Sequence, residues 1–201
     1  IATSDRKFQI VILAKNSDGY KNLMKITSIV NVENPLSPLL TDEILLSHKE
    51  GLLILSGGLW GDVSNLLVID QDLAQKRLDF YKTHFPESYY LEVNPQTNVD
   101  NAEEMRASTI KLARATETPL VATWNTHYLL REDKPAQKIL YLIHGEENSS
   151  AEYSHLFQKD NFSFEVSLEE NNPFLDIPDA VENTNKIAEI CNVTIPLGNW
   201  V

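Results

Sequence analysis

Two hydrophobic spacings alternate along the chain: short unbroken apolar runs, and longer stretches in which apolar residues return every three or four positions. The runs Phe8–Ala14, Leu52–Leu55, Tyr89–Val93 and Pro119–Ala122 predict strands, the first of them apolar enough to be covered on both faces. Between them, Tyr20, Leu23, Met24, Ile26 and Val30 predict one amphipathic helix, Asp72 to His84 a second and Asn101 to Thr118 a third. Thr41 before Asp42 and Glu43 marks a further helix start, with Glu50-Gly51 as its end, and Leu66, Leu67 and Ile69 mark a short helix. Downstream, Arg131 to Asp133 caps a helix that stops at His144-Gly145, and residues 146–150 form a polar loop. Phe162 to Val166 alternates like a half-buried strand, Ser167 to Glu170 reads as a capping box, and Pro178 to Asn192 supplies a last amphipathic helix. Strand and helix in alternation predict an α/β fold with parallel strands, in one domain spanning residues 1–201.

In parallel folds the loops at the carboxyl ends of strands carry the chemistry, because the side chains there are held by a rigid sheet yet open to a ligand. The run from Pro119 to Tyr128 ends in Asn125, Thr126 and His127, which places two of the candidate residues at such an address. Glu92 is a third, since an acid inside an apolar strand needs a partner, a metal or an open strand end. Ser56-Gly57-Gly58-Leu59-Trp60-Gly61 follows a strand with glycines that let the backbone approach either a ligand or a neighbouring element closely. Metal-assisted hydrolysis wants several charged or imidazole ligands converging. Glu92, Asn125 and His127 are few for that purpose, and Asn is a neutral, weak ligand. His48, His84, His144 and His155 each stand alone and read as surface or capping residues, and Ser56 lacks the Gly-x-Ser-x-Gly elbow of a nucleophile. Trp60, Trp124 and Trp200 are not interleaved with Lys or Arg, so core packing is the reading for them.

Charge narrows the partners. Seventeen Lys and Arg against 29 Asp and Glu give a net charge of -12, which opposes nonspecific binding to phosphate backbones, so DNA contact is expected only through other parts of a longer protein. The single cysteine, Cys191, excludes an internal disulfide framework and reads as a buried structural thiol on the last helix. No apolar run reaches the roughly 20 residues of a membrane helix, and residues 1–7 lack a signal peptide's apolar segment, so a cytoplasmic protein without membrane contact is expected. The chain opens on Ile1 with no initiating Met, which reads as a start inside a longer gene product.

An ordered set of motifs goes further. Ala14-Lys15-Asn16-Ser17-Asp18-Gly19-Tyr20-Lys21-Asn22-Leu23, the strand and glycine turn from Gly51 to Gly61, Phe80-Tyr81-Lys82 leading to Tyr90-Leu91-Glu92, Pro119 to Thr123 with His127-Tyr128-Leu129, and Asp176 to Thr184 together resemble the PHP (polymerase and histidinol phosphatase) domain of bacterial DNA polymerase III α subunits of the DnaE type. The resemblance covers nearly the whole chain and implies the later part of that domain: a distorted, seven-stranded, TIM-like β/α barrel lacking its first strands. It also implies a replication role, with the rest of the α subunit and other replisome subunits as partners. The family's opening His-x-His metal motif has no counterpart here, and metal-binding members typically carry Cys at the position of Gly58 and Asp at that of Asn125, while His127 keeps its ligand type. The resemblance therefore implies a vestigial metal site at Glu92, Asn125 and His127. No cofactor is expected, with Zn or Mn if the site is retained, and no catalytic residue is assigned. The catalytic aspartates of DNA synthesis are not expected in this chain, so the piece alone should not incorporate nucleotides. Two other readings stay open: a metal-dependent phosphoesterase or 3′–5′ proofreading exonuclease, and a stand-alone interaction module. Unpaired strand edges in a truncated barrel predict self-association or partial disorder near Ile1.

Overall fold

The computed structural model describes residues 2–3, 6–33, 35–36, 38–95, 101–144, 162–165, 172–195 and 198. A short antiparallel pair, β1 (Ala2–Thr3) and β2 (Arg6–Lys7), precedes a four-stranded sheet whose first member is β3 (Val11–Ala14). Helix α1 (Ser17–Glu33) and the short α2 (Asp42–Ser47) lead to β4 (Leu52–Leu55). Thr41 caps α2, its hydroxyl accepting from the Ile44 N–H at 3.3 Å, as the Thr-Asp-Glu pattern requires, but the helix ends at Ser47, three residues ahead of the expected Glu50. A 3₁₀ turn (Gly58–Trp60), α3 (Asp62–Ile69) and α4 (Gln71–His84) then connect to β5 (Tyr89–Val93), and α5 (Ala102–Thr116) connects to β6 (Leu120–Ala122). A second 3₁₀ turn (Arg131–Asp133) runs into α6 (Lys134–His144), and α7 (Pro178–Ile190) closes the described helices.

The strand order is β3-β4-β5-β6, with β4, β5 and β6 mutually parallel. Two expectations are corrected here. The β3 strand is antiparallel to β4, with Val11 opposite Leu55 and Ala14 opposite Leu52, so only part of the sheet is parallel. It is also an edge strand with Val11 38% exposed, so its apolar run does not lie between two covering layers. Within the run from Pro119 to Tyr128 the strand is confined to its apolar first part. Only Leu120–Ala122 pairs with β5, and Tyr128 makes one isolated parallel bridge to Ser163. Phe162 to Glu165 is likewise no regular strand, holding on to residues 127–129 through three backbone hydrogen bonds, and Val166 lies outside the described residues. Outside them too are the loop at 146–150, the capping box at 167–170, His155 and Trp200.

Side-chain alternation sorts the strands onto two faces. Leu52 and Ile54 of β4, Tyr89, Leu91 and Val93 of β5, and Leu120 and Ala122 of β6 join the main core with Leu45, Val63, Leu78 and Tyr81 from the helices. The opposite parity, Leu53, Leu55, Tyr90 and Val121, forms a second cluster with Ile187 of α7. Glu92 has the parity of Tyr90, so it sits on this second face, near the carboxyl end of β5.

Helix α7 lies along the outer edge of β6. Because β6 meets β5 through Pro119 and Thr123, the carbonyls of Leu120 and Ala122 point the other way, and α7 takes both. Asn183 Nδ2 donates to the Leu120 carbonyl at 2.8 Å and Thr184 Oγ1 to that of Ala122 at 3.0 Å. Each such bond is worth about 0.5–1.5 kcal/mol net, and together they remove the acceptors a further strand would need. The start of α7 is fixed by Pro178 in its first turn and by two forked ion pairs from α5, Arg106 to Asp176 at 2.8 Å and Arg114 to Asp179 at 2.6 Å. No described helix is long and apolar enough to cross a membrane.

Candidate functional site

Three strands deliver polar groups to the carboxyl end of the parallel run: Ser56 after β4, Glu92 and Asn94 at the end of β5, and Thr123 after β6. They form one closed network. Glu92 is 8% exposed, and its Oε2 accepts the Gly57 N–H at 3.1 Å while its Oε1 accepts the Thr123 hydroxyl at 2.5 Å. The Asn94 amide donates to Thr123 Oγ1 at 2.7 Å, and Asn94 Oδ1 accepts the Leu59 N–H at 3.1 Å. Ser56 Oγ completes the set by accepting the Glu92 backbone N–H at 2.8 Å. Every donor to the carboxylate is neutral.

The glycine turn is what makes this possible. Gly57 and Gly58 have φ of 84° and 56°, a left-handed pair that turns the chain directly after β4 and aims the Gly57 and Leu59 amides at β5. A Cβ on Gly58 would fall inside contact distance of Asn94 Oδ1. The close approach left open by the sequence is thus an approach to Glu92 and Asn94. A Cys at position 58 could not be accommodated without moving Asn94.

The loop after β6 carries the other two candidates. Asn125 adopts φ of 46°, a left-handed conformation that Asn tolerates better than most residues, and it turns the chain away from the strand. His127 lies beyond that turn, its N–H donating to the Phe162 carbonyl at 2.9 Å and its ring meeting the Phe162 ring edge-on at 5.4 Å. Partial burial of the imidazole there lowers its pKa below the ordinary histidine value. Among the described residues, no group of three or more His, Cys, Asp or Glu side chains is placed to hold a metal ion. Trp124 packs edge-on against Phe174, centroids 5.6 Å apart, as a wall residue. His48 caps the end of α2, and burial raises the pKa of the half-buried Cys191 thiol.

A second buried polar cluster has no counterpart among the residues singled out from the sequence. Asp62, fully buried in the first turn of α3, accepts Arg77 Nε at 3.0 Å and the Tyr81 hydroxyl at 2.8 Å. The same guanidinium grips Asp42 of α2 at 2.7 and 3.2 Å and donates to the Tyr81 hydroxyl at 2.9 Å. Burial alone would lower the Arg77 pKa, but the hydrogen bond to Asp42, with the charges of Tyr81 and Asp62, more than offsets it and the net shift is upward. Burial, then the charge of Asp62, pushes the Tyr81 phenol up. The available signal was the spacing of Arg77 and Tyr81, four apart on the apolar side of a predicted helix; a cation at such a position needs a buried acid.

Comparison with known proteins gives this geometry its context. The family described as the PHP domain matches residues 1–96. DNA polymerase III subunit alpha of Treponema pallidum is 34% identical over 194 residues, 95% of this chain and 16% of that protein. The proteins of the same name from Haemophilus influenzae and Escherichia coli K12 are 33% and 32% identical over 98% of this chain, in each case over 17% of their own length. The chain thus spans only about a sixth of the relatives it matches. Its first 96 residues match the PHP-domain family, and nearly all of its length is similar to part of DNA polymerase III α subunits.

Proposed function

We propose that this segment serves a replicative DNA polymerase III α subunit as a structural brace, in the cytoplasm, holding the rest of that subunit and contributing to contacts with other replisome subunits. DNA reaches it only through the whole protein. In this reading the place of a metal centre is filled by protein hydrogen bonds, and Glu92, Asn125 and His127 are its vestige. The observation that carries the proposal is the closed set around Glu92: both carboxylate oxygens are occupied by neutral donors, Gly57 N–H and Thr123 Oγ1. A hard or borderline cation would have to displace those bonds, and of the two remaining vestigial residues Asn125 could offer it no charge and His127 a neutral imidazole. Gly58 points the same way, because its missing Cβ is the space that Asn94 Oδ1 occupies. The parallel run β4, β5, β6 belongs, in this reading, to a distorted β/α barrel of the PHP type, with α7 covering the edge at which a further strand would join.

Calorimetric titration of the chain with Zn²⁺ and with Mn²⁺ tests the vestigial site. The expected result is no stoichiometric binding that depends on Glu92 or His127. Tight one-to-one binding that Glu92→Gln or His127→Ala abolishes would overturn the proposal and reinstate metal-dependent phosphoesterase chemistry.

A further inference from the structure

A cavity of about 260 Å³ opens between the carboxyl end of β6, the turn at residues 172–174 and the side of α7. Its walls are the half-buried Trp124 ring, the buried Phe174 ring set nearly perpendicular to it at 81°, and Val181. Its rim carries Asn172, Thr184 and Asn185, and among the described residues no charged side chain lines it. The rim groups differ in what they have left to offer. The Thr184 hydroxyl is spent on the Ala122 and Ala180 carbonyls. Asn172 Oδ1 accepts the Phe174 N–H at 2.9 Å, which leaves its Nδ2 donors, and the Asn185 amide makes no hydrogen bond among the described residues.

We infer that this cavity binds a small, planar, uncharged nitrogen heterocycle of the nucleobase class, its ring face on Trp124 and its donor and acceptor edge toward the Asn172 and Asn185 amides. Size supports a single ring system: pockets for drug-sized ligands run to about 300–1,000 Å³, above what is available here. Aromatic walls bind any flat π system, and a free amide at the rim satisfies both donors and acceptors of a base edge. Charge selects against a phosphate. Lys186, next to Asn185 in sequence, pairs with Glu182, and Arg106 and Arg114 of α5 pair with Asp176 and Asp179, within a chain of net charge -12. The pocket therefore recognises the base and not the backbone. It requires no metal and no reaction, so it stands apart from the question of the vestigial site.

The test is nuclear magnetic resonance on the ¹⁵N-labelled chain, following the side-chain amides of Asn172 and Asn185 and the Trp124 indole. Adenosine and thymidine are one arm of the titration, and a short single-stranded oligothymidylate is the other. Saturable shifts confined to the lining are expected, with a Kd on the order of 1 mM for a nucleoside. Asn185 is exposed on a helix, so Asn185→Leu keeps the fold, verified by an unchanged thermal melt, and weakens binding about tenfold. Nucleosides that saturate the site support a free base or nucleoside as its ligand; shifts with the oligonucleotide alone support a base of single-stranded DNA. No saturable shift in either arm, or shifts that Asn185→Leu leaves unchanged, overturns the inference.

Discussion

Asp62 and Glu92 are both buried carboxylates, placed just after one strand and at the end of the next, and the fold treats them in opposite ways. Asp62 is met by a guanidinium that also holds Asp42 and is itself packed over the Phe80 and Tyr81 rings at 4.7 and 4.9 Å. Glu92 receives a backbone amide, a hydroxyl and, at 3.4 Å, the Asn94 side-chain amide. The first arrangement ties α2, α3 and α4 together by charge; the second ties β4, β5 and β6 together by dipoles. The Tyr81 hydroxyl and the Val63 N–H also donate to Asp62, but the neutralisation of its charge rests on Arg77 alone. A ring of neutral donors spreads the same task over Gly57, Asn94 and Thr123, so that loss of any one leaves the others in place.

The largest effect should follow from removing the charged partner. Arg77→Met leaves Asp62 buried without its cation and is expected to cost about 3–5 kcal/mol, read as a fall in the urea midpoint at unchanged slope. The double variant Asp62→Leu with Arg77→Met should recover part of that loss, since replacing both ions costs less than orphaning one. A single-variant loss below about 1 kcal/mol would put Arg77 with ordinary surface pairs and erase the contrast with Glu92.

Glu92→Gln probes the other half. Gln keeps the shape but offers one acceptor where Glu offers two, so either the Gly57 N–H or the Thr123 hydroxyl faces an amide N–H₂. The expected loss is about 1–3 kcal/mol by the same urea titration, smaller than that of Arg77→Met because the unmatched donor is neutral. A loss equal to or larger than that of Arg77→Met would mean that the charge on Glu92 is held by more than dipoles.

How far these features were readable in the sequence follows from the range of the forces involved. Local periodicity located β4, β5 and helices α1, α4, α5 and α7 because each buries a face whose spacing the backbone imposes. The antiparallel pairing of β3 was not readable, since an apolar run is the same in either direction and its exposure depends on what lies beside it. Glu92 could be singled out as an acid in an apolar strand, but its partners come from 35 positions upstream and 31 downstream, through a turn whose geometry only glycine spacing foreshadowed. Arg77 was hidden by the opposite effect: a long amphipathic side chain on a helix reads as surface, and the acids that bury it lie 15 and 35 residues away. The end of β6 was legible, because the apolar run gives way to Asn125, Thr126 and His127, and the left-handed Asn125 turns the chain away from the sheet.

An exposed pair supplies the reference at the small end. Arg114 and Asp179 form a forked bond at 2.6 and 2.7 Å, with side chains 51% and 43% exposed. Solvent screening discounts it, so Arg114→Met should cost no more than about 1 kcal/mol, most of it lost when the salt concentration is raised. The hydrogen bond from Arg114 holds the Asp179 carboxyl below the ordinary aspartate range. A folded-state pKa below the unfolded value means that the unfolded chain binds the proton more readily. The contribution is therefore fully present above the unfolded value of about 3.9 and fades as the pH falls below it, through the folded value. The difference between wild type and Arg114→Met in the urea midpoint should accordingly be measurable at pH 7 and shrink at pH 3. A difference that instead grows on acidification would show that Arg114 acts on α7 through packing, and the ranking from buried ion pair to buried dipoles to surface pair would lose its electrostatic basis.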